Sequence, residues 1–160
     1  MAYSECACCS DSLCLQINLS DLKLAERAFY LRTTFPPDGE MGSIKDCNFN
    51  PQIEKAITIE NGRAIKIWDF NGKLFDSLKA EASVSFVSIG KDPALFFTGD
   101  DKGRVTAWPL NGYVPRTLIA HPKKITGLRV SEGDNGRFII SSSRKGANVL
   151  NLADSSIHFY

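Results

Sequence analysis

Long apolar runs are missing from this chain of 160 residues. None approaches the roughly 18 to 20 residues of a membrane-spanning helix, and the N-terminus lacks a basic stretch followed by an apolar one. Neither sign of charge is in excess: 19 Lys and Arg against 18 Asp and Glu leave a formal net charge of +1. A chain so balanced has no general pull toward nucleic acid or an anionic bilayer. The expectation is a cytoplasmic or nuclear protein without a membrane partner, in which 43% hydrophobic residues suffice to build a core.

Histidine is scarce. His121 and His158 are the only two, which leaves little material for metal binding or acid–base chemistry. The sequence holds no nucleophile elbow, phosphate-cradling glycine loop, paired-histidine metal motif or carboxylate dyad. The pair Asp100-Asp101 falls in a turn, where Asp is favoured for backbone reasons. No enzyme activity, cofactor, metal or small-molecule substrate is expected. Cysteine is clustered instead: Cys6, Cys8, Cys9 and Cys14 precede a distant Cys47. Cys-x-Cys-Cys-x4-Cys lacks the paired CxxC spacing that surrounds a tetrahedral zinc ion. Without a secretion signal a disulfide framework is not expected either. The cysteines read as small apolar residues in a remnant of strand and turn.

What the chain does have is a repeat. Thr58-x9-Trp68 returns as Thr98-x9-Trp108, 40 residues further on, and the same offset carries Ile44 to Val84 and Phe49 to Ile89. A third, degraded copy takes Val84 to Ile125, Ile89 to Val130 and Trp108 to Leu150, without the Trp. A period of about 40 residues with several short apolar runs is the length of one four-stranded propeller blade. The copies run over 43–80, 81–120 and 121–160. In the second, alternation and composition predict strands at Val84–Ile89, Ala94–Thr98, Arg104–Trp108 and Thr117–Ile119, separated by the turn formers Gly90–Pro93, Asp100–Gly103 and Asn111-Gly112. Each copy is expected to be an antiparallel meander. Only Leu22–Phe29 approaches a helical periodicity, and it is too short to carry a fold.

The runs NGRAIKIWDFNG and KGRVTAWPLNG resemble the third strand and following turn of WD-repeat β-propellers, where Trp-Asp closes the strand. Phe49-Asn50-Pro51 is similar to that family's Phe-Ser-Pro, and Ala120-His121 stands where Gly-His is usual. The resemblance covers about 43–152. It implies an all-β fold of four-stranded antiparallel blades in a partial WD-repeat-like β-propeller, with Thr58, Trp68, Asp69, Thr98, Trp108 and His121 as structural repeat positions. The family's buried network joins a His, a Ser or Thr, an Asp and the Trp, and no copy holds all four. The first offers Thr58 and Trp68 with Glu40 and Gly62 at the other two places; the second offers Thr98 and Trp108 with Ala80 and Lys102. The third keeps His121 but has Arg144 and Leu150. Stability is therefore expected to rest on apolar packing between sheets.

Residues 1–42 read as a partial blade and connecting loop. Leu13–Leu19 alternates like a third strand, with Ile17-Asn18 where Trp68-Asp69 would fall, and Ala28–Arg32 is the expected fourth strand. A chain of this length holds at most four blades, whereas closed rings have four to eight. Two readings stand: a fragment or isoform of a longer propeller, or a half-ring that completes itself against another chain. Both predict exposed apolar faces.

In a meander, alternate turns share one face. That gathers Lys123 and Lys124 with Arg144 and Lys145 on the third copy, and Glu81 with Asp100 and Asp101 on the second. The functional expectation is a non-catalytic protein–protein interaction scaffold whose charged rim docks protein partners, among them another propeller half or other subunits of a complex. The alternative is a nucleic-acid-associated module that uses the same basic rim.

Overall fold

A computed structural model shows antiparallel sheets, with no helix among the described residues. It describes residues 42–160 with side chains, apart from 51–52, 70, 91–94, 111, 113 and 132–136, and the backbones alone of three strands nearer the N-terminus. Those three, β1 (Glu5–Cys8), β2 (Cys14–Ile17) and β3 (Leu31–Phe35), form sheet I. Sheet II holds β4 (Ile44–Asn50), β5 (Lys55–Glu60), β6 (Ala64–Asp69) and β7 (Leu74–Lys79). In sheet III come β8 (Val84–Ile89), β9 (Leu95–Asp100), β10 (Arg104–Pro109) and β11 (Arg116–Ala120). Sheet IV is β12 (Ile125–Val130), β13 (Phe138–Ser143), β14 (Gly146–Asn151) and β15 (Ile157–Phe159). Every strand pairs with its neighbours in chain order, so each sheet is an up-and-down meander.

All four strands expected in the second copy form, within two residues at each end. Sheet I differs from expectation. Strand β1 lies ahead of β2, an addition to the two strands expected there, and the described strand Leu31–Phe35 overlaps the expected fourth strand at Leu31 and Arg32. Residues 28–30 and the helix-like 22–29 lie outside the described residues.

The register shows how the repeat works. Trp68 pairs with Ala56, and Trp108 with Phe96, in the same place of their sheets. Leu150 pairs with Ile139 in the corresponding place of sheet IV. Each innermost strand carries a register shift near its start, at 44/46, 84/86 and 125/127. Such bulges increase the local twist of a strand.

Sheets stack through two apolar layers. Between II and III lie Ile57, Ile59, Ile65 and Ile67 against Val84, Val87 and Phe96, with Trp108 packed alongside; none of the four isoleucines is more than 1% exposed. Each contributes roughly 1.5–3 kcal/mol by leaving water. Between III and IV lie Phe97, Val105 and Ala107 against Leu128, Ile139 and Leu150. By strand alternation the corresponding far face of sheet IV presents Ile140, Ser142, Ala147 and Val149, and Ile140 is 46% exposed. Behind sheet II, Cys47, Ala56 and Trp68 form a smaller cluster. Strand β1 lies beside β4 on that side. Cys47 is disulfide-bonded, against the expectation that no disulfide framework forms.

Polar rungs join the innermost strands. Val87 N–H donates to Asp46 Oδ2 at 2.8 Å, Ile89 N–H to Asn48 Oδ1 at 3.4 Å, and Asn50 Nδ2 to the Gly90 carbonyl at 3.0 Å. One repeat later, Val130 N–H donates to Ser88 Oγ at 3.1 Å. Burial pushes the Asp46 carboxyl above its ordinary range, partly offset by the Val87 and Cys47 amides and by the positive charge of Arg129.

Candidate interaction rim

Backbone bonds set the turns of one face, and the bond from Val84 to Gly62 ties sheet III to sheet II. Ala80 N–H donates to the Arg63 carbonyl, Val84 N–H to Gly62, Asp101 N–H to Ser83 and His121 N–H to Gly103. Gly103 has φ +84, and a Cβ there would collide with the backbone carbonyls of His121 and Lys123. Only glycine permits both that conformation and that approach. Ile125 pairs with Ser143, which sets the loop 121–124 beside the turn at 144–145.

On this rim Lys102, Lys123, Lys124, Arg144 and Lys145 are all exposed. The ion pairs among the described residues are Lys66–Glu60, Arg104–Glu81 and Arg104–Asp100, so none of these five cations is neutralised by a described neighbour. The expected acidic neighbours behave differently from one another. Asp101 is exposed. Glu81 is exposed but engaged by Arg104 Nη1 at 3.1 Å. Asp100 is buried, and its carboxylate accepts from the amides of Lys102 and Arg104 and from Arg104 Nε, so it shapes the turn and offers no charge to the rim. Arg144 does not occupy the turn position of Gly62 and Lys102. The pairing of Ser143 with Gly146 leaves a two-residue loop, one shorter than 61–63 and 101–103.

The structural repeat positions are satisfied in pieces. Trp68 Nε1–H donates to Thr58 Oγ1 at 2.9 Å, and Trp108 Nε1–H to Thr98 Oγ1 at 2.7 Å. His121 Nε2 lies 2.8 Å from Ser141 Oγ, and burial holds its pKa below the ordinary value. Asp69 Oδ1 accepts from the amides of Asn71 and Lys73 and closes its turn. The sequence gives no sign that two acids, Glu60 and Asp100, are buried. Glu60, 3% exposed, takes Lys66 Nζ at 2.7 Å, and Thr58 Oγ1 reaches its Oε1 at 3.5 Å. Glu60 and Asp100 stand 40 residues apart, each at the end of the second strand of its sheet.

No protein-family model matches the chain, and neither does any curated protein. Solved structures do. The chain is similar to U3-55K and to the WD40 repeats of RRP9, in each case with TM-score 0.64 and 17% identity over 74% of this chain. The chain has the WD-repeat β-propeller fold. It spans 38% of the length of each of those two structures, and at that identity the likeness is one of fold. Sheets II, III and IV have the fold of propeller blades, and the buried polar bonds are divided among them. Blades II and III keep the Thr–Trp bond, whereas blade IV keeps the His–Ser bond. Among the described residues, no three His, Cys, Asp or Glu side chains gather as a metal would require, and no helix is long and apolar enough to cross a membrane.

Proposed function

We propose that this chain is a non-catalytic scaffold of the cytoplasm or nucleus that docks an acidic segment of a protein partner on the rim of blades III and IV. The observation that carries this reading is the run of five exposed cations, Lys102, Lys123, Lys124, Arg144 and Lys145, with no ion-pair partner among the described residues. Cations left unpaired on neighbouring turns steer an acidic partner and add specificity more than raw affinity. The rigid turns beneath them, fixed by the Asp101–Ser83 and His121–Gly103 backbone bonds, hold that pattern in place. In this reading residues 1–160 act as one propeller-like unit, a piece of a longer ring or a subunit completed by another half.

Reversing Lys123 and Lys124 to Glu is expected to weaken capture of an acidic peptide about tenfold or more, the equivalent of 1.4 kcal/mol. Equal capture by the reversed variant contradicts the proposal. A second reading, docking of a nucleic-acid strand, is favoured by Tyr160. Tyr160 is 79% exposed, and its backbone pairs with Ala147 beside the basic turn. A free aromatic face next to cations suits base stacking. That reading requires affinity that falls steeply with salt, and absent or salt-insensitive RNA binding dismisses it.

A further inference from the structure

Four residues ahead of each innermost strand, Ala80 and His121 occupy the same backbone position. Ala80 N–H donates to Arg63 at 2.9 Å and His121 N–H to Gly103 at 2.7 Å, each reaching the turn of the preceding blade. Their side chains differ. The His121 imidazole fills its site, 6% exposed, and meets Ser141 Oγ. Ala80 leaves a cavity of about 200 Å³, bounded by Ala82, Thr98, Trp108, Arg104 and Thr117. Thr98 stands where Ser141 stands in the next blade, since Val87 pairs with Thr98 as Leu128 pairs with Ser141.

We infer that this socket binds an imidazole group supplied from outside the chain. An apolar cavity of about 150 Å³ holds a benzene ring, so a five-membered ring has room. The polar groups fit it. Thr98, 2% exposed, accepts the Trp108 N–H, and its own hydroxyl proton has no acceptor among the described residues. In blade II the equivalent Thr58 hydroxyl reaches Glu60, but in blade III Asp100 is turned onto Arg104 and its own turn. A ring nitrogen supplies the missing acceptor. Exposed Glu81, held at the mouth by Arg104, can take the opposite ring N–H. A carboxylate ligand would meet Glu81 and Asp100, and a purely apolar one would leave the Thr98 hydroxyl unsatisfied. The ring comes either as a free heterocycle or as the histidine of a docking segment. The inference stands apart from the rim proposal, because none of the five rim cations bounds the cavity.

The test titrates the protein with free imidazole and, separately, with the tripeptide Gly-His-Gly, following the Trp108 indole N–H by NMR and the unfolding midpoint. Free imidazole is expected to shift the Trp108 signal and to raise the midpoint with concentration, as a ligand of the folded state alone does. Ala80→Leu plugs the socket and is expected to weaken the response about tenfold or more while the rest of the spectrum is retained. Ala80→His is expected to abolish it by filling the site from within. A response to the tripeptide equal to that of imidazole assigns the group to a partner's histidine; a response to imidazole alone assigns it to a free heterocycle. The inference is overturned if Trp108 does not respond to either probe, if Ala80→Leu responds as the native chain does, or if pyrrole, which lacks the acceptor nitrogen, acts as strongly as imidazole. Glu substitutions at Lys123 and Lys124 leave the titration unchanged, so failure here and failure of the rim are separate results.

Discussion

At the scale of single residues, buried polar groups decide which substitutions matter. Thr98→Val keeps the shape of the side chain but removes the acceptor of the Trp108 N–H, and a cost of about 1–2 kcal/mol is expected in urea unfolding. Little or no change would show that the Trp108 N–H finds another partner. The pH dependence has a definite sign at His121. Burial lowers its folded pKa, so the unfolded chain takes up a proton more readily. The stability that neutral His121 provides is intact above about pH 6.5 and is lost as pH falls below that value. His121→Gln is expected to flatten this part of the stability profile, read as the difference from the native chain between about pH 7.5 and about pH 5.5. These residues were legible to different degrees. Thr58, Trp68, Thr98 and Trp108 stand out because two copies share the same spacing. Glu60 and Asp100 were not read as buried, because an acid in a turn is normally solvated and nothing in its spacing announces Lys66 or Arg104 as partner. Nor does the sequence show that Ala80 leaves space, since emptiness depends on what its neighbours fill.

At the scale of the strand and sheet, one register position takes three fates. Ile57, Phe97 and Ile140 occupy the same place in β5, β9 and β13, yet they are 0%, 1% and 46% exposed. Ile57→Ala is expected to cost about 2–5 kcal/mol and Ile140→Ala less than about 1 kcal/mol, because a cavity forms only where a second sheet covers the side chain. Equal costs in chemical denaturation would mean that the far face of sheet IV is covered. Strand positions in sheet III were predictable from alternation and turn residues, since Val84–Ile89 and Arg104–Pro109 are punctuated by Gly, Asp and Pro. Sheet I was less so: the short run Glu5–Cys8 lacks β-branched residues and is defined by its pairing with Cys14–Ile17. The two-residue turn at 144–145 was likewise hidden, because a deletion of one residue leaves the overall offset near 42.

At the scale of the molecule, the account rests on stacking in chain order. Sheet III turns one apolar face back toward sheet II and another forward to sheet IV. The rim exists because that stacking aligns the turns at 80–83, 101–103, 121–124 and 144–145. The fold was legible because a 40-residue period fixes which positions are equivalent, whereas function is less so because exposed charges carry no periodic signature. Methyl and aromatic NOEs test the stacking directly. The account predicts cross-peaks from Ile57 and Ile67 to Val87 and Phe96, and from Phe97 and Val105 to Leu128 and Ile139, with none from Ile57 to Leu128 or Ile139. Cross-peaks joining sheet II directly to sheet IV, or none between Ile57 and Val87, would contradict it.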